Sequence, residues 1–184
     1  MNGPIRKVTV FVALMMAALL LNLTAISVVQ ADDLNADPRN RRVRDAEFAR
    51  PRGAILVGND PIAVSVERPG RFPFVRTYPA GELWSSVTGW YSYDYARSGL
   101  ESYYNEELAG TSPVQSVGRL VDLITGRQSQ GANISTTLNP RAQAAAVSAL
   151  GDQQGAVVAM NYETGEILAL VSTPTYDPNR LATV

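Results

Sequence analysis

Hydrophobic and polar positions divide the chain into stretches of different rhythm. Val8 to Val29 is a run of 22 residues without a charge. As a helix rising about 1.5 Å per residue it would reach roughly 33 Å, enough for a hydrocarbon core of about 30 Å. Its polar members, Thr9, Asn22, Thr24 and Ser27, are uncharged, and Ser and Thr hydroxyls can bond back to the helix backbone. From Asp32 to Arg52 the apolar rhythm disappears. Six arginines and five acids alternate there, with Pro38 and Pro51 as breakers, which predicts an irregular charged stalk over 30–52. After Gly53 the pattern becomes short and β-rich. Ala54–Val57 and Ile62–Val66 flank the turn residues Gly58-Asn59-Asp60-Pro61, and a hairpin is expected. Arg68 to Gly81 is interrupted by Pro69, Gly70, Pro73 and Pro79, so it is expected to be extended or looped.

The next elements are helical and then mixed. Ser98-Gly99-Leu100-Glu101 fits a capping box, and Leu100, Tyr104 and Leu108 recur on one face before Gly110, predicting a short helix. Arg119–Thr125 and Asn133–Leu138 read as strands around a Gly126–Gly131 turn. A second helix is expected from Asn139-Pro140, cap then proline, to Leu150 before Gly151. Between these, Leu83 to Tyr95 holds both tryptophans and three tyrosines. Such a cluster packs a small core or, when exposed, binds glycan or a partner.

The last pattern differs from the others. Gly155–Asn161 and Ile167–Ser172 form two strands joined at Tyr162–Glu166, and Val157–Met160 and Ile167–Val171 are continuously apolar. Runs of that kind predict strands buried on both faces. Only the Asn139–Leu150 helix is available to cover them, so the hairpin is expected to belong to a larger domain whose remainder lies beyond Val184.

Composition narrows the chemistry. The 184 residues contain no His and no Cys, and Lys7 is the single lysine. A Ser-His-Asp triad, a thiol nucleophile and a Cys/His zinc site are therefore excluded. Carboxylates, hydroxyls and Arg remain. Glu106-Glu107 and Glu163/Glu166 are the pairs from which an acid–base couple would be drawn. Nothing in their spacing shows a cleft or a raised pKa, and solvated helix and turn positions are the preferred reading. No catalytic, cofactor or metal residue is assigned. Net charge is −1, which gives no sign of nucleic-acid binding. The charges flanking the apolar run matter more. Arg6 and Lys7 precede it and Asp32 and Asp33 come after it. The positive-inside rule then puts residues 1–7 in the cytoplasm and the bulk outside the cell membrane, as a single-pass protein. A cleaved signal peptide ending at Val29-Gln30-Ala31 is the competing reading, but its apolar core is usually only about 7–15 residues long. In the stalk, a phosphate-binding patch competes with a solvated spacer, which the interleaved acids favour.

Three blocks then align, in order, with one family. "RGAILVGNDPIAVSV" is similar to the Arg-Gly-x-Ile-Leu segment that comes after the anchor of class B penicillin-binding proteins. "YPAGELWSSVTGWYSYDYARSGLESYYNEELAG" resembles their pedestal signature. "NISTTLNPRAQAAAVSAL" with "GAVVAMNYETGEILALVSTPTYDPN" resembles the opening of the transpeptidase domain, where Thr137-Leu138-Asn139 with Gln143 stands for Thr-(Leu/Ile)-Asp-x-x-x-Gln. The likeness spans about residues 50–179 and leans toward the A-type proteins of high-GC Gram-positive bacteria.

What this resemblance implies is an α+β chain with four parts. A transmembrane anchor occupies 8–29, a charged stalk 30–52, a non-catalytic β-rich pedestal 53–132, and the first helix and hairpin of a transpeptidase domain 133–184. The family cross-links peptidoglycan stem peptides through a serine acyl-enzyme and is acylated by β-lactams, without a cofactor, and its pedestal offers surface to cell-wall synthesis or division proteins. The catalytic Ser-x-x-Lys and Lys-Thr-Gly motifs each need a lysine, and Lys7 precedes the apolar run. This chain is therefore expected to be inactive by itself, as the N-terminal part of such an enzyme. The alternative is a membrane-anchored scaffold module of natural length.

Overall fold

The computed structural model of the chain describes residues 2–36, 40–112 and 130–182. It divides into two compact units, 1–44 and 45–184. In the first, helix α1 (Asn2–Thr24) continues through a π-helical turn at Ala25–Val29. Within Gly3–Val29 the most apolar stretch of 18 residues has a mean hydropathy of 2.3, and none of that stretch is buried against protein. Gly3–Val29 is long and apolar enough to cross a membrane. The helix begins ahead of the uncharged run, because Arg6 and Lys7 are good helix formers and extend it outward. As expected, the Thr9 hydroxyl donates to the Ile5 carbonyl at 3.0 Å and Thr24 to Leu20 at 2.9 Å.

The expected irregular stalk is corrected to a largely helical one. Helix α2 (Ala31–Ala36) comes directly after the span, and α3 (Arg41–Phe48) carries the chain into the second unit. Pro51 falls outside both helices, and the Ala, Arg and Glu of α3 favour helix despite their charge.

The second unit is built on a four-stranded sheet. Strands β1 (Ile55–Val57), β2 (Asp60–Glu67), β3 (Phe74–Thr77) and β4 (Ile134–Thr136) lie in the order β3-β2-β1-β4. The expected β1–β2 hairpin is present, with Gly58 at φ 60° in its turn. β4 joins β1 in parallel. β3 lies within a stretch expected to be extended or looped. Its neighbour α4 (Gly81–Thr88) is hidden in the sequence by a starting glycine and the β-formers Trp84, Val87 and Thr88. Strand Arg119–Thr125 and most of its turn lie outside the described residues.

The main core ties the sheet to the helices and to the C-terminal segment. Ile55, Val57, Ile62, Ala63, Tyr78, Trp84 and Leu108 cluster with Leu138 and Ala182. Fully burying a residue such as Ile55 contributes roughly 1.5–3 kcal/mol. Helices α5 (Gly99–Tyr103) and α6 (Asn105–Leu108) break at Tyr104, yet Leu100, Tyr104 and Leu108 still meet that cluster. The apolar face therefore survives the break. Where Leu108 passes Gly53 and Gly131, a Cβ at Gly131 would collide with the Leu108 carbonyl. That oxygen accepts from the Gly53 amide at 2.8 Å. Only glycine permits this crossing.

Helix α7 (Pro140–Leu150) begins as expected. The Asn139 side chain accepts from the Arg141 and Ala142 amides at 2.9 and 3.1 Å, and Pro140 occupies the first turn. Strands β5 (Gly155–Met160) and β6 (Ile167–Thr173) pair antiparallel. Ala169 and Val171 pack on Ala142, Ala146 and Leu150 of α7. One side of the hairpin is left open, as expected where α7 alone is available to cover it: Val158 and Met160 are each 60% exposed.

Candidate functional site

Acidic pairs are the first candidates, and the structure gives neither of them a cleft. Glu106 and Glu107 lie in the first turn of α6. Glu163 and Glu166 sit in the exposed β5–β6 turn, where Tyr162 donates to Glu163 and Thr164 to Glu166, both at 2.9 Å. Glu166 is the one carboxylate on a groove of about 650 Å³ that runs between β4 and this turn, past Leu100, Tyr103 and Tyr104. A single exposed carboxylate has no partner for acid–base work. Among the described residues no group of His, Cys, Asp or Glu could hold a metal.

The strongest electrostatic feature is a buried cluster that the sequence did not reveal. Glu101, which by its spacing from Ser98 would form half of a capping box, is fully buried and faces inward. Its Oε2 accepts from Arg52 Nε at 2.7 Å and its Oε1 from Arg76 Nε at 2.6 Å. Ser98 makes no side-chain cap. Its hydroxyl instead accepts from the Trp90 amide at 3.3 Å. The capping box fails because two buried guanidinium groups compete for the carboxylate, and a charge-assisted bond outweighs an exposed cap. Arg52 also donates to the Glu101 carbonyl at 2.7 Å and Asn105 at 2.9 Å, and lies over the Tyr91 ring. Arg76 donates to the Gly53 carbonyl at 2.8 Å, leaving its Nη2 without a partner. Burial, and then the nearby Glu101 carboxylate, push the Tyr78 hydroxyl far above its ordinary pKa of 10.0. Tyr91 is also raised, by burial first and by Glu47 next.

A second set of polar contacts forms a seam between the sheet-bearing part and the α7–β5–β6 part. Gln143 of α7 is fully buried. Its Nε2 donates to the Leu83 carbonyl of α4 at 2.8 Å and to the Leu170 carbonyl of β6 at 2.9 Å, and its Oε1 accepts from the Leu170 amide at 2.9 Å. Further along, Asn179 imitates a strand. Its side chain accepts from the Tyr78 amide at 2.8 Å and donates to the Tyr78 carbonyl at 2.9 Å. Asp177 holds it there, accepting from the Asn179 amide at 2.9 Å. Tyr176 donates to the Ser85 carbonyl at 3.1 Å, and Ser86 accepts from the Ser172 amide at 3.0 Å. Helix α4 takes the Gln143, Ser172 and Tyr176 contacts, and Asn179 docks on Tyr78 just ahead of it. Gln143 is visible in sequence through a family pattern, but the pairing partners of Asn179 are not.

The seam joins the four-stranded sheet and α4 to the α7–β5–β6 segment. A family profile described as the penicillin binding protein A dimerisation domain matches residues 52–134. The peptidoglycan D,D-transpeptidase PbpA of Mycobacterium tuberculosis is 46% identical over 187 residues, covering 99% of this chain. The chain belongs to the class B penicillin-binding proteins. It aligns with their N-terminal portion and spans 38% of the length of that curated relative. The PbpA of Mycolicibacterium smegmatis is 43% identical over the whole chain, again across 38% of its own length. A ceftriaxone acyl-enzyme complex of penicillin-binding protein A from M. tuberculosis superposes with a TM-score of 0.72. It is 44% identical, over 76% of this chain and 32% of that one. A D,D-transpeptidase domain from Eggerthella lenta gives 0.59 at 35% identity, over 73% and 28%. The family resemblance read from the three sequence blocks is therefore borne out, as is the α+β class with an N-terminal apolar helix.

Proposed function

We propose that the chain supplies the membrane anchor, the non-catalytic pedestal and the opening of the catalytic domain of a serine D,D-transpeptidase. That enzyme would cross-link peptidoglycan stem peptides and be acylated by β-lactams. The observation that carries this reading is the seam. Gln143 and Asn179 tie the strand and the turn at the start of the transpeptidase module to α4 and Tyr78 of the pedestal. A pedestal held by buried side-chain-to-backbone bonds supports a catalytic domain at a fixed height and orientation. Catalysis itself would rest on a serine activated by a lysine, with an oxyanion hole for the tetrahedral intermediate. Neither lysine motif occurs in the 184 residues, so these residues position and do not react.

In this reading α1 crosses the cell membrane with residues 1–7 in the cytoplasm and the pedestal outside, where its surface is free for cell-wall synthesis or division proteins. Fluorescent penicillin tests the assignment in two arms. The 184-residue chain is expected to take up no covalent label. A chimera joining it to the remaining length of the M. tuberculosis relative is expected to be labelled. A folded chimera that stays unlabelled, or a labelled 184-residue chain, overturns the proposal.

A further inference from the structure

The charge balance of the stalk changes once its acids are placed. By sequence, acids and arginines in 32–52 nearly cancel, which argues for a neutral spacer. In the structure the acids of α3 are occupied by the folded unit. Asp45, half-exposed, accepts from the Tyr93 hydroxyl at 2.8 Å and pairs with Arg71 at 3.5 Å. Glu47 pairs with Arg97 at 3.1 Å and Arg52 at 3.3 Å. Phe48 is buried in an aromatic cluster with Phe72, Tyr91 and Tyr93. The exposed positions over 41–50 are Arg41, Arg42, Val43, Ala46 and Arg50. The charges at these positions are all positive, and the half-exposed Asp45 is held in its pair with Arg71.

We infer that this arginine face of α3 docks on the anionic phospholipid headgroups of the membrane that α1 spans. Charge complementarity selects that occupant, and chain continuity supplies it. Eleven residues separate Val29 from Arg41, six of them in α2. Such a tether extends no more than about 30 Å. A site so held meets the surface at high effective concentration. Screening lengths of about 8–10 Å confine the attraction to close approach. Asp32 and Asp33, at the end of the span, oppose it, so α3 and not the whole stalk is the docking element. The inference rests on α1 being a membrane anchor, and not on the catalytic reading.

The 184 residues include no cysteine, so a spin label at Ala46→Cys is site-specific in this chain. The labelled protein is reconstituted into vesicles of phosphatidylcholine alone and of phosphatidylcholine with about two-fifths phosphatidylglycerol, chosen to give a strong surface potential. Flotation reports the anchor, and accessibility to a lipid-soluble against a water-soluble relaxant reports docking. The label is expected at headgroup depth in the anionic vesicles only, released by salt of about 1 M, where the screening length falls to about 3 Å. Each arginine removed near such a surface lowers the docked ratio about fivefold. The Arg41→Glu, Arg42→Glu double reversal should therefore lower it about 25-fold or more. Floating vesicles with equal label depth in both lipids, or docking unchanged by the reversal, overturn the inference alone. Failure to float overturns the anchor and the inference with it.

Discussion

Replacing Glu101 by Gln keeps the shape of the side chain and removes its charge. In the folded protein this carboxylate is fully buried and serves Arg52 and Arg76, whose side chains are 4% and 1% exposed. Gln offers one oxygen and one N–H₂ group. One arginine keeps an acceptor, and the other faces a donor. Arg52 retains Glu47 at 3.3 Å, but Arg76 loses its single carboxylate. Breaking a buried pair by removing one partner costs about 3–5 kcal/mol, and a donor-to-donor contact puts this variant in that range. Total stabilities are about 5–15 kcal/mol, so the change consumes a large share. For a unit of this size it corresponds to a fall in Tm of about 10–15 °C. Trp84 is buried in the main core and reports unfolding by fluorescence in a urea titration of the detergent-solubilised chain. The midpoint should fall with the slope unchanged. A triple change to apolar residues, Arg52→Met, Arg76→Met and Glu101→Leu, should recover most of the loss, because no ion remains unpaired. If Glu101→Gln costs less than about 1 kcal/mol, the cluster is not what orders this core and the reasoning fails.

The seam and the buried phenols give two further expected outcomes. Gln143→Leu leaves the Leu170 amide and the Leu83 carbonyl without the side chain that satisfies them. Each such group costs about 1–3 kcal/mol, and hydrogen exchange should speed up at Leu170 while β2 and β3 stay protected. Equal exchange in both variants would show that the seam is not held by this residue. The Tyr78 hydroxyl is raised above its unfolded value by burial, so the folded state keeps its proton when the unfolded chain loses it. Stability is therefore full below the ordinary tyrosine pKa of 10.0 and declines as pH rises beyond it. Thermal melts between about pH 8 and 11.5 should show the decline, shallower in Tyr78→Phe; an unchanged slope in that variant would exclude Tyr78 as its source.

Local pattern alone was enough for some elements. The uncharged run at Val8–Val29, the Asn139-Pro140 start of α7 and the turn between β1 and β2 are written in residues a few positions apart, and the structure has them where the pattern puts them. Their free energies come from short-range causes: hydropathy, a cap, a glycine at positive φ. The order of the three family blocks was legible for the same reason, since it needs no knowledge of what touches what.

Tertiary structure decided the rest. Ser98 and Glu101 have the spacing of a capping box, and only the arrival of Arg52 and Arg76 from 49 and 25 residues away turns the carboxylate inward. Asn179 looks like a loop residue until Tyr78, 101 residues earlier, is placed beside it. The acids of α3 look like neutralising charges until Tyr93, Arg71 and Arg97 engage them. In each case the competing partner is distant in sequence and near in space. At Glu101 burial then multiplies the strength of the contact, so the long-range choice overrides the local cap.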